Sequence, residues 1–152
     1  MATESPLLHD GGQCVLGFDA RNSTLSGTTN SGPSGSGQFT PVALSTVTAR
    51  MVIPASSGNR VYGILQNKGS SSMVADVAIF GICKAVCVSS IALGQAVSVS
   101  TGGATGTTAA VGLGAYSSAA GIYAIGQALE SATAGQVFTM ALYGFGQGVT
   151  GY

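Results

Sequence analysis

Apolar and polar residues alternate in short runs along most of this chain, and the runs keep the two-residue period of a β-strand. Residues 42–53 are rich in β-branched side chains and stop at Pro54. A second run at 59–66 (NRVYGILQ) closes on the turn-forming cluster Asn67-Lys68-Gly69-Ser70. A third, at 73–88, puts Val77, Ile79, Gly81, Cys83, Ala85 and Cys87 on one face. Phe80, Ile82, Lys84, Val86 and Val88 fall on the other. So long a strand is expected to bend, and Gly81 is the natural place. Residues 96–100, a return at 105–113 after Thr101-Gly102-Gly103, and 121–129 (GIYAIGQAL) add further strands. Residues 130–135 (ESATAG) form one short turn, with a helical turn as the alternative. The last strand, 136–143 (QVFTMALY), sets Val137, Thr139, Ala141 and Tyr143 on one face. Only a single helical turn near 116–120 interrupts this reading, and no window sustains a 3.6-residue period. The predicted fold is all-β: an antiparallel sandwich or barrel of about eight short strands. No internal repeat of solenoid length stands out.

The ends differ from this middle. Residues 1–23 mix polar positions with one apolar burst, Cys14-Val15-Leu16-Gly17-Phe18, and 24–38 (TLSGTTNSGPSGSGQ) hold no core-forming residue after Leu25. Such composition orders poorly by itself. Residues 1–38 therefore read as an arm and linker, 39–143 as the β-domain and 144–152 (GFGQGVTGY) as a glycine-rich tail. The arm is a candidate for strand addition to a neighbouring sheet edge. Its apolar residues Leu7, Leu8, Val15, Leu16 and Phe18, with Phe39 at the domain entry, are the candidate contacts with a neighbour.

Composition narrows the function. Only 7% of the 152 residues are charged, where about 25% is usual, and five Lys+Arg balance five Asp+Glu. Dispersed cations of this number give no electrostatic grip on a phosphate backbone, so nucleic acid is not an expected partner. The most apolar stretch is broken by Asp76 and Lys84 and falls short of a membrane helix. The start MATESPLLHD has neither the positive region nor the apolar run of a secretion signal, which points to synthesis in a cytosol. A protein with no net charge is poorly protected against association, which suits one that lives packed against partners.

Candidate chemistry is sparse. His9 is the one histidine, set in the arm beside Asp10, away from any rigid frame that could hold a catalytic base. Cys14, Cys83 and Cys87 are an odd set. Four residues along a strand at ~3.3 Å each hold the last two about 13 Å apart, too far for a disulfide. A Cys3His metal site with His9 lacks the usual ligand spacing. No nucleophile elbow, phosphate loop or dinucleotide fingerprint occurs in its structural context. The acids Glu4, Asp10, Asp19, Asp76 and Glu130 are scattered. A pocket lined by Phe80, Tyr116, Tyr123, Phe138 and Tyr143 is the one small-molecule arrangement the aromatics offer, against plain core or subunit packing. The expectation is no enzyme, no cofactor and no small-molecule substrate.

Four segments in order carry a resemblance: 60–67 (RVYGILQN), 75–84 (ADVAIFGICK), 91–97 (IALGQAV) and 124–137 (AIGQALESATAGQV). Over roughly residues 52–143 this order resembles the small capsid decoration (cement) proteins of tailed bacteriophages. Their patterns run V-x-G-V-L-Q-N, A-x-V-x-x-x-G-x-x-K, I-x-x-G-x-x-V and I-G-x-A-L-E-x-A-x-A-G-x-x-V. The first 40 residues and the tail fall outside it. The resemblance implies a β-rich, non-enzymatic virion protein on the capsid exterior. It would bind major capsid protein and other copies of itself, often as a homotrimer. A different virion structural module (tail, fibre or adhesin) is the alternative.

Overall fold

The computed structural model describes residues 7–9, 13–19, 38–44, 52–55, 61–67, 74–102, 110–117 and 122–143. At 7–9, 13–19 and 52–54, and at the strand ends 74, 101–102 and 110, it describes the backbone alone. The glycine-rich tract at 24–37, the possible helical turn at 118–120 and the tail at 144–152 lie outside these residues.

Among the described residues ten strands follow one another: β1 (Leu7–His9), β2 (Gln13–Asp19), β3 (Pro41–Leu44), β4 (Val52–Pro54), β5 (Gly63–Leu65), β6 (Val74–Val86), β7 (Ala96–Gly102), β8 (Ala110–Ala115), β9 (Ala124–Ala128) and β10 (Val137–Leu142). There is no helix among the described residues. This corrects the expected eight strands at two places. The run at 42–53 divides into β3 and β4, which pair antiparallel, and the stretch read as an arm carries β1 and β2. Its signal is Asp10-Gly11-Gly12 between the apolar runs of β1 and β2, a turn sequence of hairpin type.

Every ladder between strands is antiparallel, in the order β4-β3-β5-β6-β10-β9-β7-β8. The far end turns back: Val88 N–H donates to the Leu113 carbonyl at 2.9 Å, and Cys87 bridges Leu113 in parallel. The sheet is thus a nearly closed barrel rather than two packed layers. Its interior is filled by Phe138, Ile64, Leu113, Met140 and Val97, all fully buried, while Leu65 packs with Val42, Ala75 and Val77 in a second cluster. Burying each such side chain contributes about 1.5–3 kcal/mol.

β6 is the spine. Gly81 sits in its middle with φ +95°, and the pairing partners change there. On one edge, β10 pairs with Gly81–Val86 and β2 takes over from Phe80 back to Val74. On the other edge, β5 pairs with Val77 and Ala78. Beyond the bend the Gln66 side chain continues that edge. Its Nε2 donates to the Lys84 carbonyl at 3.1 Å and its Oε1 accepts the Lys84 N–H at 3.4 Å, as a strand residue's peptide groups would.

Candidate interaction surface

The outer face of β6 and β10 breaks the usual rule for a one-sided strand. Inward, the alternation is regular: Cys83 and Ala85 on β6, with Phe138, Met140 and Leu142 on β10, are buried. Outward, β6 presents Phe80 (56% exposed) and Ile82 (48%) before reaching Lys84. The register sets Ile82 opposite Ala141 and Lys84 opposite Thr139. Tyr143, just past the end of β10, is also exposed. Tyr143 is held there by its N–H, which donates to the Ile125 carbonyl at 3.0 Å. Phe80, Ile82 and Tyr143 are thus exposed apolar side chains of β6 and the end of β10, with Lys84 exposed on β6, Gln127 on β9 and Glu130 on the turn after it. Where such residues form a contiguous patch they mark a contact site.

The charged rim is ordered. The Glu130 carboxylate accepts hydrogen bonds from the Thr139 side chain and backbone N–H. Those bonds, with a smaller contribution from the Lys84 ammonium, hold its carboxyl below the ordinary value. Inside the barrel the thiols are muted. Burial pushes the Cys83 thiol up to about 12 and raises Cys87 as well. A thiol that stays protonated is neither a nucleophile nor a ligand at neutral pH. Among the described residues no group of three or more His, Cys, Asp or Glu side chains could hold a metal ion.

The sequence-predicted contacts are distributed as follows. Leu7 and Leu8 lie on β1, and Val15, Leu16 and Phe18 on β2, opposite Ala78, Val77 and Ala75 of β6. Their side chains lie outside the described residues. Phe39 is half-buried, with φ +66°, an unusual value for a bulky residue. It is pinned at both ends: its N–H donates to the Leu65 carbonyl at 2.7 Å, and its carbonyl accepts the Val86 N–H at 2.9 Å. The suggested aromatic pocket does not assemble as a group, for Phe138 is in the core while Phe80 and Tyr143 are outside. The sequence-based contact set did not include Phe80, Ile82 or Tyr143. The alternation of β6 was visible, but which of its outward positions stay uncovered depends on the pairing of strands distant in sequence.

Compared with known proteins, the sequence matches no protein-family model and no curated protein.

Proposed function

We propose that this chain is a capsid decoration protein of a tailed bacteriophage. It binds the outside of the assembled head and braces contacts between major capsid subunits, as an oligomer, most simply a trimer. The observation that carries the reading is the order of the four segments at 60–67, 75–84, 91–97 and 124–137. Those segments supply β5, most of β6, the turn into β7, and β9 with the turn into β10.

Two features support it. A chain with 7% charged residues has little surface suited to permanent solvation, and Phe80, Ile82 and Tyr143 are exposed apolar side chains available to another subunit. In this reading residues 1–38 supply the β1–β2 pair, laid along β6, and the segment after it; Leu7, Leu8, Val15, Leu16 and Phe18, with Phe39 at the domain entry, contact a neighbouring subunit, and 144–152 are a tail. The mechanism is mass action. A ligand that binds the assembled shell and not its parts stabilises the shell, and many modest sites add through multivalency. No covalent chemistry is required.

The test is direct. Purified protein is mixed with undecorated heads of the phage that encodes it, and binding is read by co-sedimentation. The expected result is saturable binding and a higher temperature of head disruption, both reduced by the double change Phe80→Ser and Tyr143→Ser. Heads that stay undecorated at saturating protein refute the reading. Unchanged binding after deletion of residues 1–38 removes the arm from it.

A further inference from the structure

Two turns at one end of the barrel make the same hydrogen bonds with exchanged partners. Gln95 N–H donates to the Ala92 carbonyl (3.1 Å), and Gln136 N–H to the Thr133 carbonyl (3.0 Å). In both, the glycine at the third position has positive φ, +78° at Gly94 and +86° at Gly135, the requirement of a type II turn. In both, the glutamine side chain folds back to accept the first residue's N–H, Ala92 at 3.0 Å and Thr133 at 2.9 Å.

The exchange extends into the strands. Gly94 N–H donates to the Ala128 carbonyl and Gly135 N–H to the Cys87 carbonyl, both at 2.8 Å. Ala128 N–H donates to the Gln95 carbonyl (2.9 Å) and Cys87 N–H to the Gln136 carbonyl (2.8 Å). Ile91 and Ala132 bond to each other in both directions, at 2.9 and 3.0 Å. The pairs Val86↔Val137 and Ala85↔Phe138 between β6 and β10 recur as Gln127↔Ala96 and Gly126↔Val97 between β9 and β7. Every correspondence has one offset, the 41 positions from Gly94 to Gly135. Chance resemblance between two turns would not also exchange their partners.

We infer that the barrel is built on an internal duplication: residues 85–97 and 126–138 are two copies of one strand–bridge–turn–strand unit, related by a local two-fold axis between Ile91 and Ala132. Little of this survives in the letters. Ser90, Gly94 and Gln95 recur as Ser131, Gly135 and Gln136, and most other positions differ. What persists is what the backbone demands, a glycine with positive φ and a glutamine that closes the turn. The buried pair on the axis has instead diverged in complementary fashion, one large residue facing one small.

The test exchanges the units within the full chain. One variant carries Ile91→Ala, Ala92→Thr and Leu93→Ala, a second carries Ala132→Ile, Thr133→Ala and Ala134→Leu, and a third carries all six. The first opens a cavity on the axis and the second crowds it. Each is expected to lower the thermal midpoint by roughly 5 °C or more, and the six-fold exchange to return within about 3 °C of the parent. The same result holds if the three-fold variants do not fold and the exchange does. An exchange that falls as far as the two halves together overturns the inference. Amide exchange in the unmodified protein is the independent readout. The pairs Cys87/Ala128, Ile91/Ala132 and Gly94/Gly135 should show protection matched within about ten-fold, and unmatched protection in all three refutes it.

Discussion

Replacing Gly126 with alanine tests the packing of the barrel at one of its tightest points. Gly126 lies on β9 between β7 and β10, opposite Val97 on one side and Leu142 on the other. A methyl group at this position would run into the Ala141 carbonyl oxygen and the Met140 Cε. The methionine can swing away, but the carbonyl belongs to the ladder that joins β9 to β10. Overpacking of a filled core costs about 1–3 kcal/mol, before any backbone shift. Displacing the ladder adds about 0.5–1.5 kcal/mol for each hydrogen bond weakened. With one hydrogen bond weakened, the sum for Gly126→Ala is therefore about 1.5–4.5 kcal/mol, a large share of the roughly 5–15 kcal/mol that holds an ordinary domain together. Gly94→Ala is the control. Nothing lies within 4 Å of its added methyl, so only the left-handed backbone is penalised, at about 1–2 kcal/mol. Urea unfolding followed by circular dichroism measures both. A Gly126→Ala variant within about 1 kcal/mol of the parent, or less damaged than Gly94→Ala, would refute the reasoning.

Other expectations concern ionisation and the surface. Glu130 has a lowered pKa in the folded protein, so its contribution is present above the ordinary value of 4.5 and lost as pH falls through the folded one. Glu130→Gln should flatten the acid limb of a midpoint-against-pH curve, and an unchanged limb would count against the Thr139 contact. The Cys83 thiol, shifted from 9.0 to about 12, stays protonated in the fold while the unfolded chain ionises, so stability should fall as pH rises above 9. Cys83→Ser tests this by removing that alkaline loss, and in the parent Cys83 should resist iodoacetamide until the chain unfolds. Leu93 is 67% exposed, and its counterpart in the second unit is Ala134, so the turn does not need it. Leu93→Ala should leave the midpoint within about 1 °C, and weakened head binding by the same variant would assign the side chain to the contact proposed above.

The strands of the domain were legible where one face is buried and the other is not. β10 is the clearest: Phe138, Met140 and Leu142 alternate with Val137, Thr139 and Ala141, and the register follows. The bend in β6 was also legible, since only one glycine interrupts that run. The division of 42–53 into β3 and β4 was not, because β-branched residues favour strand on both sides of a reversal and say nothing of where it falls. The local two-fold axis was hidden for a related reason. Hydrogen bonds between backbones fix Ile91 against Ala132 whatever the side chains are, so substitution could erase the likeness in sequence while the pairing stayed. The exposed apolar residues were half visible. Phe80 and Ile82 share a face by parity, whereas nothing in the letters says what leaves Tyr143 uncovered.

Gln66 carries a mechanical consequence. Neighbouring strands of the barrel are otherwise laced by peptide groups, whose bonds yield together along a ladder. Past the bend in β6, the seam toward β5 is carried by the Gln66 amide bonded to Lys84 and by Phe39, which bonds Leu65 and accepts the Val86 N–H. A side chain can release and regain its partners by rotating, without unzipping either strand. The Gln66 contact is thus one that can yield and reseal locally while the peptide bonds on either side of it stay made. Gln66→Leu would turn it into an open gap, and Gln66→Glu into a joint with an acceptor where the Lys84 carbonyl needs a donor.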